Sequence, residues 1–533
     1  MPPALSWADL SGARVGVWGA RVEGAANLRR LAAAGVVPAA VVDDAEPGPV
    51  EGHPVLTTAA GGLAALAACE VVVKSPGISR HRAEVADLEA AGVVVTGGLA
   101  LWLVGVGGEA VVAITGSKGK STTTAVAGHL AAGLGRRPFV GGNLGSPPWD
   151  PAAPRPPGGP DLWVVEVSSF QAADVARSPR VVVVTALSPD HLDWHGDVET
   201  YYADKLSLCH QPGATVSVVN GDDPELRARS HLLGPRVRWV RLDQRGSAPG
   251  GALRRTARSP AGEGAAGEGG LSGRPGWGAP GWTAALGLVG AHNARNALIA
   301  AAALQEAGVS GADDPDRLVR AAAGFEPLPS RLQQVAEVGG VRFFDDSLST
   351  NVAPTLAALE VFADERVALL AGGHDRGLDY APLAAALLDR AAPTLLLALP
   401  DNGSRIVLAV DATRRARVVE GAGAGRPGGR AGCAERSGSG IVGGGAGTAG
   451  GAAGTGLEVR PVADLAEAVA YGWGWARPRG VVLLSPAAAS FGRFRDYRDR
   501  SAAFARAVGA LTGAGGGAER WRGGAGGSGG GGT

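Results

Sequence analysis

Short runs of apolar, largely β-branched residues recur along the chain, separated by Ala- and Leu-rich stretches of helical spacing. Runs without polar alternation are the mark of strands buried on both faces, as in parallel sheets flanked by helices. Arg14-Val-Gly-Val-Trp-Gly19 is a strand, Glu23 to Ala34 a helix, and Val37 to Val42 a second strand ending at Asp43-Asp44. Val71-Val-Val-Lys74 runs into the turn Ser75-Pro-Gly77, and Val111 to Thr115 stops at Gly116. Leu162 to Val167 and Val181 to Leu187 are further strands. Ala125 to Leu134 and Tyr201 to Cys209 are helical by spacing, and Gly290-Ala-His-Asn-Ala-Arg-Asn296 opens another helix. Towards the C-terminus, strands follow at Arg342 to Asp345, Val367 to Gly373, Thr394 to Leu399 and Val481 to Leu484.

This order predicts an α/β protein of three domains, 1–107, 108–328 and 329–511. The first is Rossmann-like, the second is built on a phosphate-binding turn, and the third is again Rossmann-like. The Gly/Ala-rich insert 421–456, the tail 512–533 and the milder insertion 246–281 offer little apolar surface to offset ordering, so flexibility is expected there.

The formal net charge is +0, which implies no general attraction to nucleic acid or an anionic membrane. Cys69, Cys209 and Cys433 are widely spaced, as suits a reduced protein without a disulfide framework. Met1-Pro-Pro-Ala-Leu lacks a basic start and an apolar core, and no apolar run is long enough to span a membrane. A cytoplasmic monomer acting on small molecules is the expectation.

Gly116-Ser117-Lys118-Gly119-Lys120-Ser121-Thr122, directly after a buried strand and before a helix, has the order of a phosphate cradle. Loop amides face the anion, Lys120 reaches the β/γ-phosphates, and the Ser121 or Thr122 hydroxyl can bind Mg²⁺. Glu166 lies inside an apolar strand, where a lone carboxylate is costly unless paired or metal-bound. His191 follows a strand's C-terminal end, where α/β sheets bind ligands. The chain has four lysines, Lys74, Lys118, Lys120 and Lys205, and otherwise uses arginine. Lysine can give up its proton whereas arginine cannot, so this economy suggests chemistry at Lys120 and Lys205, while for Lys74 and Lys118 chance usage is as good a reading.

Gly116 to Thr122, Glu166-Val-Ser-Ser-Phe-Gln171, Ser188-Pro-Asp-His-Leu-Asp193, His292-Asn-Ala-Arg-Asn296, Asp346-Ser-Leu-Ser-Thr-Asn351 and Leu484-Ser-Pro-Ala-Ala-Ala-Ser490 occur in this order. Together they resemble the Mur ligase family over roughly residues 12 to 508, and most of all its members that add glutamate to UDP-N-acetylmuramoyl-L-alanine. The resemblance implies domains for UDP-substrate, ATP and the incoming amino acid. The implied reaction is ATP-dependent amide formation through an acyl phosphate, in peptidoglycan precursor synthesis. It implies Lys120, His191 and Lys205 as catalytic, with ATP held by residues 116 to 122, Asn293, Asn296, Arg331 and Asp346. Ser121, Glu166, His191 and Lys205 become the Mg²⁺ ligands, Lys205 as a carbamate formed with CO₂. Asp43, Ser75 and Gly77 fall to the UDP moiety, and Asn143, Ser168 and Gln171 to the muramoyl-alanine end. Thr350, Arg376, Ser490, Phe491 and Tyr497 fall to glutamate. Leu348 and Arg376 stand where the family usually has lysine. D-Glutamate is the default substrate on this reading. L-Glutamate is the alternative raised by the altered pocket, and a folylpolyglutamate- or cyanophycin-type ligase is the remoter one.

Overall fold

A computed structural model of the chain describes residues 4–45, 48–107, 110–242, 282–288, 290–423 and 456–513. The insertion 246–281 lies outside the described residues, as does nearly all of 421–456 and of the tail 512–533. Where they meet described backbone, order reaches further than expected: one helix continues to Gly423 and another to Gly513.

The chain divides into two compact units, Met1–Pro327 and Leu328–Thr533. The first holds two sheets. One comprises β1 (Val15–Trp18), β2 (Ala40–Asp43), β3 (Leu56–Thr57), β4 (Val71–Lys74) and β5 (Val94–Gly97). Its order is β3-β2-β1-β4-β5, all parallel. The other comprises β6 (Val111–Thr115), β7 (Pro138–Gly142), β8 (Leu162–Glu166), β9 (Val181–Val184), β10 (Val216–Asn220) and β11 (Val237–Val240). It is also parallel, in the order β11-β10-β9-β6-β8-β7. Every residue of β6 is buried, as its unbroken apolar run demands.

One hydrophobic core runs through both sheets of this unit, with Val17, Leu99 and Trp102 in the same cluster as Trp149, Val165 and Tyr201. Polar links reinforce it. The Trp149 indole donates to Asn27 Oδ1 at 2.8 Å, and Arg29 grips Asp150 through two nitrogens at 2.9 and 2.5 Å. Lys74 and Asp174 form a buried ion pair at 2.5 Å.

The second unit carries β12 (Gln333–Val338), β13 (Val341–Asp345), β14 (Val367–Ala371), β15 (Thr394–Ala398), β16 (Leu457–Pro461) and β17 (Gly480–Leu484). The order is β12-β13-β17-β14-β15-β16, and β12 alone is antiparallel to its neighbour. Gly339 and Gly340 make that hairpin turn with φ of 60° and 78°, which glycine adopts without strain.

Several boundaries differ from the spacing-based expectation. The helix expected over 201–209 is Val198–Ser207, because the Asp197 carboxylate accepts the Thr200 amide at 2.8 Å and starts it earlier. The strand expected from Val37 begins only at Ala40, since Pro38 cannot donate to a ladder. The helix expected from Ala125 starts at Lys120.

Candidate functional site

β6 delivers the chain into the turn 116–119, and the helix Lys120–Gly133 leaves it. Gly116 has φ of 136°, and a Cβ there would collide with the Thr185 hydroxyl. Gly119 has φ of 87°, and a Cβ there would lie 2.7 Å from Asn296 Oδ1. Both positions therefore require glycine. The turn is pinned from outside: Thr185 Oγ1 donates to Lys118 O at 2.5 Å, and Ser117 Oγ lies 2.7 Å from the Tyr201 hydroxyl. Ser117 Oγ also accepts the Ser188 amide at 2.9 Å. A helix N-terminus held this way offers amides and a positive dipole end to an anion. Lys120 Nζ donates to Gly116 O at 2.8 Å, folded over the loop it opens. Lys118 pairs with Asp190 at 3.2 Å, and Ser121 is half-buried one residue into the helix. Asn293 and Asn296 are buried on the helix Ala291–Glu306, Asn296 directly against Gly119.

Glu166 ends β8 and is buried. Its Oε1 accepts from Asn143 Nδ2 at 2.6 Å, while its Oε2 is buried without a partner. Lys205 is 2% exposed on the helix Val198–Ser207, and its Nζ donates to Gly116 O at 3.2 Å. Among the described residues no carboxylate lies within ion-pair distance of it. Burial, aided by the like charges of Lys120 and Lys118 against the pull of Asp190 and Glu166, holds the Lys205 amine well below the usual lysine range. His191 stands at φ of 52° beyond β9, its ring 4.9 Å from that of Phe170. Partial burial lowers its imidazole, and Lys205, Lys120 and Lys118 add to that against the pull of Asp190. Mutual electrostatic influence thus puts residues 120, 166, 191 and 205 in one neighbourhood beside the turn. The orphaned Glu166 oxygen and the Ser121 hydroxyl at the phosphate cradle are the hard oxygen donors that a cation such as Mg²⁺ takes, with the neutral-leaning His191 imidazole as a single nitrogen donor; the bare Lys205 amine adds no oxygen.

The description Mur ligase middle domain matches residues 114–304, which span this turn, Glu166, His191 and Lys205. A UDP-N-acetylmuramoyl-L-alanine–L-glutamate ligase of a Micromonospora species is 38% identical over 94% of this chain and 97% of its own length. Proteins of the same name from Salinispora tropica and Xanthomonas euvesicatoria are 37% and 36% identical, each over 94% of this chain and 98% and 96% of their own lengths. The chain belongs to the Mur ligase family. It is an ATP-dependent, amide-bond-forming ligase of three-sheet α/β architecture.

In this Mur ligase, Ser168 caps the short helix Ser169–Ala172 in a reciprocal box with Gln171. Gln171 Nε2 donates to Glu23 Oε1 at 2.6 Å, tying β8's end to the first helix of the other sheet. Burial, opposed by that hydrogen bond, pushes Glu23 up to about 7. Asp43 and Ser75 stand at the carboxyl ends of β2 and β4, on either side of β1. Asp43 Oδ2 accepts the Ala20 amide at 2.7 Å, and Ser75 Oγ donates to Gly19 O at 2.9 Å. Gly77 faces open space. This gathering at a strand-order switch point is where open α/β sheets take ligands.

The remaining residues lie in the second unit. Asp346 accepts from the Ser349 and Ser485 hydroxyls and from the Leu332 amide, and burial pushes it up to about 6. Arg331 has a buried Nε without a partner. Ser490 and Phe491 line a cavity of about 530 Å³ together with Gly373, Asp401, Arg493 and Arg500. Arg376 is outside that lining, its guanidinium 5.8 Å from the Phe491 ring centre. Thr350 and Tyr497 are outside it too; the Thr350 amide donates to Leu348 O at 3.0 Å, and the Tyr497 hydroxyl accepts from Arg498 at 3.3 Å.

Sequence reasoning did not single out Thr185, Tyr201, Asn296's contact with Gly119, or Glu23. Tyr201 had a usable signal: it precedes Lys205 by four residues, one helical turn on the same face.

Proposed function

We propose that this ligase joins L-glutamate to UDP-N-acetylmuramoyl-L-alanine, and that Lys205 acts in its carbamylated form. What carries the site assignment is Lys205, buried, with no carboxylate at ion-pair distance among the described residues, and within electrostatic reach of Lys120 and of Glu166, whose Oε2 is buried without a partner. The names of the relatives support L-glutamate over the D-isomer.

Lys120 and the turn amides bind the β/γ-phosphates of ATP, and Asn293 and Asn296 take the adenine. The neutral Lys205 amine adds to CO₂, forming an N–C bond and releasing one proton, which leaves a carboxylate where a bare amine stood. Ser121, Glu166, His191 and that carbamate would hold Mg²⁺, which when bound neutralises charge on the phosphates. Asn143, Ser168 and Gln171 position the muramoyl-alanine carboxylate, Asp43, Ser75 and Gly77 the UDP end. The substrate carboxylate attacks the γ-phosphorus, giving an acyl phosphate and ADP. The glutamate amine, positioned by Thr350, Arg376, Ser490, Phe491 and Tyr497, then attacks the acyl carbon and phosphate leaves. Arg331 and Asp346 serve the nucleotide's phosphate and ribose.

The test is phosphate release with each glutamate isomer offered separately. Release should require ATP, UDP-N-acetylmuramoyl-L-alanine and L-glutamate together. Turnover with D-glutamate alone would overturn the isomer assignment, and turnover indifferent to both acceptors would overturn the reaction. Depletion of CO₂ should lower the rate and bicarbonate restore it.

A further inference from the structure

His81, His195 and Asp204 form a second cluster of ligating atoms, separate from the Glu166–His191–Lys205 group. One nitrogen of each imidazole and a carboxylate oxygen lie within 4.8 Å of one another. His81 Nε2 is 2.6 Å and His195 Nδ1 2.7 Å from the same oxygen, Asp204 Oδ2. The three come from different elements. His81 follows the turn after β4, His195 ends the short helix Leu192–His195, and Asp204 lies on the helix Val198–Ser207.

The surroundings hold the donors in place. His195 has a fully buried side chain, and its other nitrogen lies 3.0 Å from Ser169 Oγ, which fixes the ring with Nδ1 towards Asp204. A hydrogen-bonded outer partner of this kind is what orients metal-binding imidazoles. The His81 segment is clamped onto the His195 segment: Ser79 Oγ donates to Trp194 O at 2.8 Å, and the Trp194 indole donates to Pro76 O at 3.0 Å. The rings of Trp194, Phe170 and Tyr201 wall the inner side at 4.3, 5.6 and 5.1 Å from His195. The outer side is open, since the His81 side chain is 40% exposed.

We propose that His81, His195 and Asp204 bind a divalent transition ion of the zinc class, with solvent as the fourth ligand. Two imidazoles and a carboxylate select zinc-type ions over Mg²⁺, which prefers all-oxygen surroundings. Bond lengths of about 2.0–2.2 Å in a tetrahedron need ligand separations of roughly 3.3–3.5 Å. The Asp204 oxygen therefore withdraws by somewhat under 1 Å from each nitrogen, and the two imidazole nitrogens, no more than 4.8 Å apart, settle to that same spacing, which the exposed His81 side chain is free to do. The ion fastens the turn after β4 to the helix that carries Lys205.

The experiment uses the full chain, stripped with chelator and dialysed into excess Mg²⁺ to mask the harder sites. Zinc is then titrated and counted, and cobalt is added to a parallel sample for its visible absorption. One zinc per chain should bind, with the cobalt spectrum of a four-coordinate site. His81→Ala should weaken zinc at least ten-fold, and His81→Cys, which keeps a zinc ligand, should recover most of that. His191→Ala should leave the affinity unchanged. Zinc should also raise the melting temperature of the wild type but not of His81→Ala. Equal zinc affinity in the wild type and His81→Ala, or loss of zinc in His191→Ala alone, would overturn the assignment.

Discussion

Two buried lysines in the first unit occupy opposite situations. Lys74 is 0% exposed and lies 2.5 Å from Asp174 Oδ2, with Ile78 O accepting a second bond at 3.1 Å. Arg80 reaches the other oxygen of Asp174 at 3.0 Å. Lys205 is enclosed too, yet among the described residues its one hydrogen bond goes to Gly116 O at 3.2 Å, and it feels the like charges of Lys120 and Lys118. In the first case charge meets charge and the fold is closed by it. In the second the protein has buried an amine where its charged form is disfavoured, which costs stability and favours the neutral amine that the proposed carbamylation needs. Burial alone therefore does not distinguish a structural lysine from a chemical one; the presence of a carboxylate partner does.

The largest separation between the two should appear in turnover. Lys205→Met removes the proposed metal-ligating carbamate and should lower ligation by about 10²–10³-fold, the loss typical of one transition-state charge stabiliser. Lys120→Ala should do the same. Phosphate release at saturating UDP-N-acetylmuramoyl-L-alanine and L-glutamate measures both. A Lys205→Met enzyme within a few-fold of wild type would show that the unpaired lysine has no part in the reaction.

Stability should show the reverse. Lys74→Met leaves Asp174 buried with only Arg80 and should destabilise the first unit by about 3 kcal/mol, as breaking a buried pair does. Lys74→Met with Asp174→Leu should recover most of that loss, because Arg80 retains Glu89 at 2.7 Å and no buried charge is stranded. Thermal melts of the single and double variants decide it; equal losses in the two would mean that the pair matters through its shape and not its charge.

Which parts of this were legible beforehand follows from the range of the forces involved. β6 and its glycine turn could be read because an apolar run stopped by Gly116 is a local signal, and so could Lys205, since four lysines against many arginines is a compositional one. The edge strands β11 and β16 went unread: β16 exposes three of its five residues and has no apolar run to announce it. Helix starts were missed where a side-chain cap, such as Asp197, decided them. Contacts such as Asn296 on Gly119, or His81 with Asp204 across 123 positions, come only from the folded chain, because nothing in either segment encodes the other.

The finest test concerns the sign of a small effect with pH. Burial lowers the folded-state pKa of Lys205 below the ordinary 10.5. Between those two values the unfolded chain holds a proton that the folded chain lacks, so this group makes stability rise with pH across that window. Below the folded value the cost of the buried charge is present in full; above about 10.5 it vanishes, since the amine is neutral in both states. Lys205→Met fills similar space without a charge. In CO₂-free buffer near neutral pH it should therefore melt higher than wild type, by the equivalent of about 1 kcal/mol. The gain should shrink as the pH is raised towards 10, whereas the loss in Lys74→Met should be present throughout the neutral range. Bicarbonate should narrow the Lys205→Met gain as well, because the carbamate no longer needs to hold a proton. A Lys205→Met melt below that of wild type at neutral pH would mean that the amine is stabilised where it lies, and the contrast between the two lysines would fall.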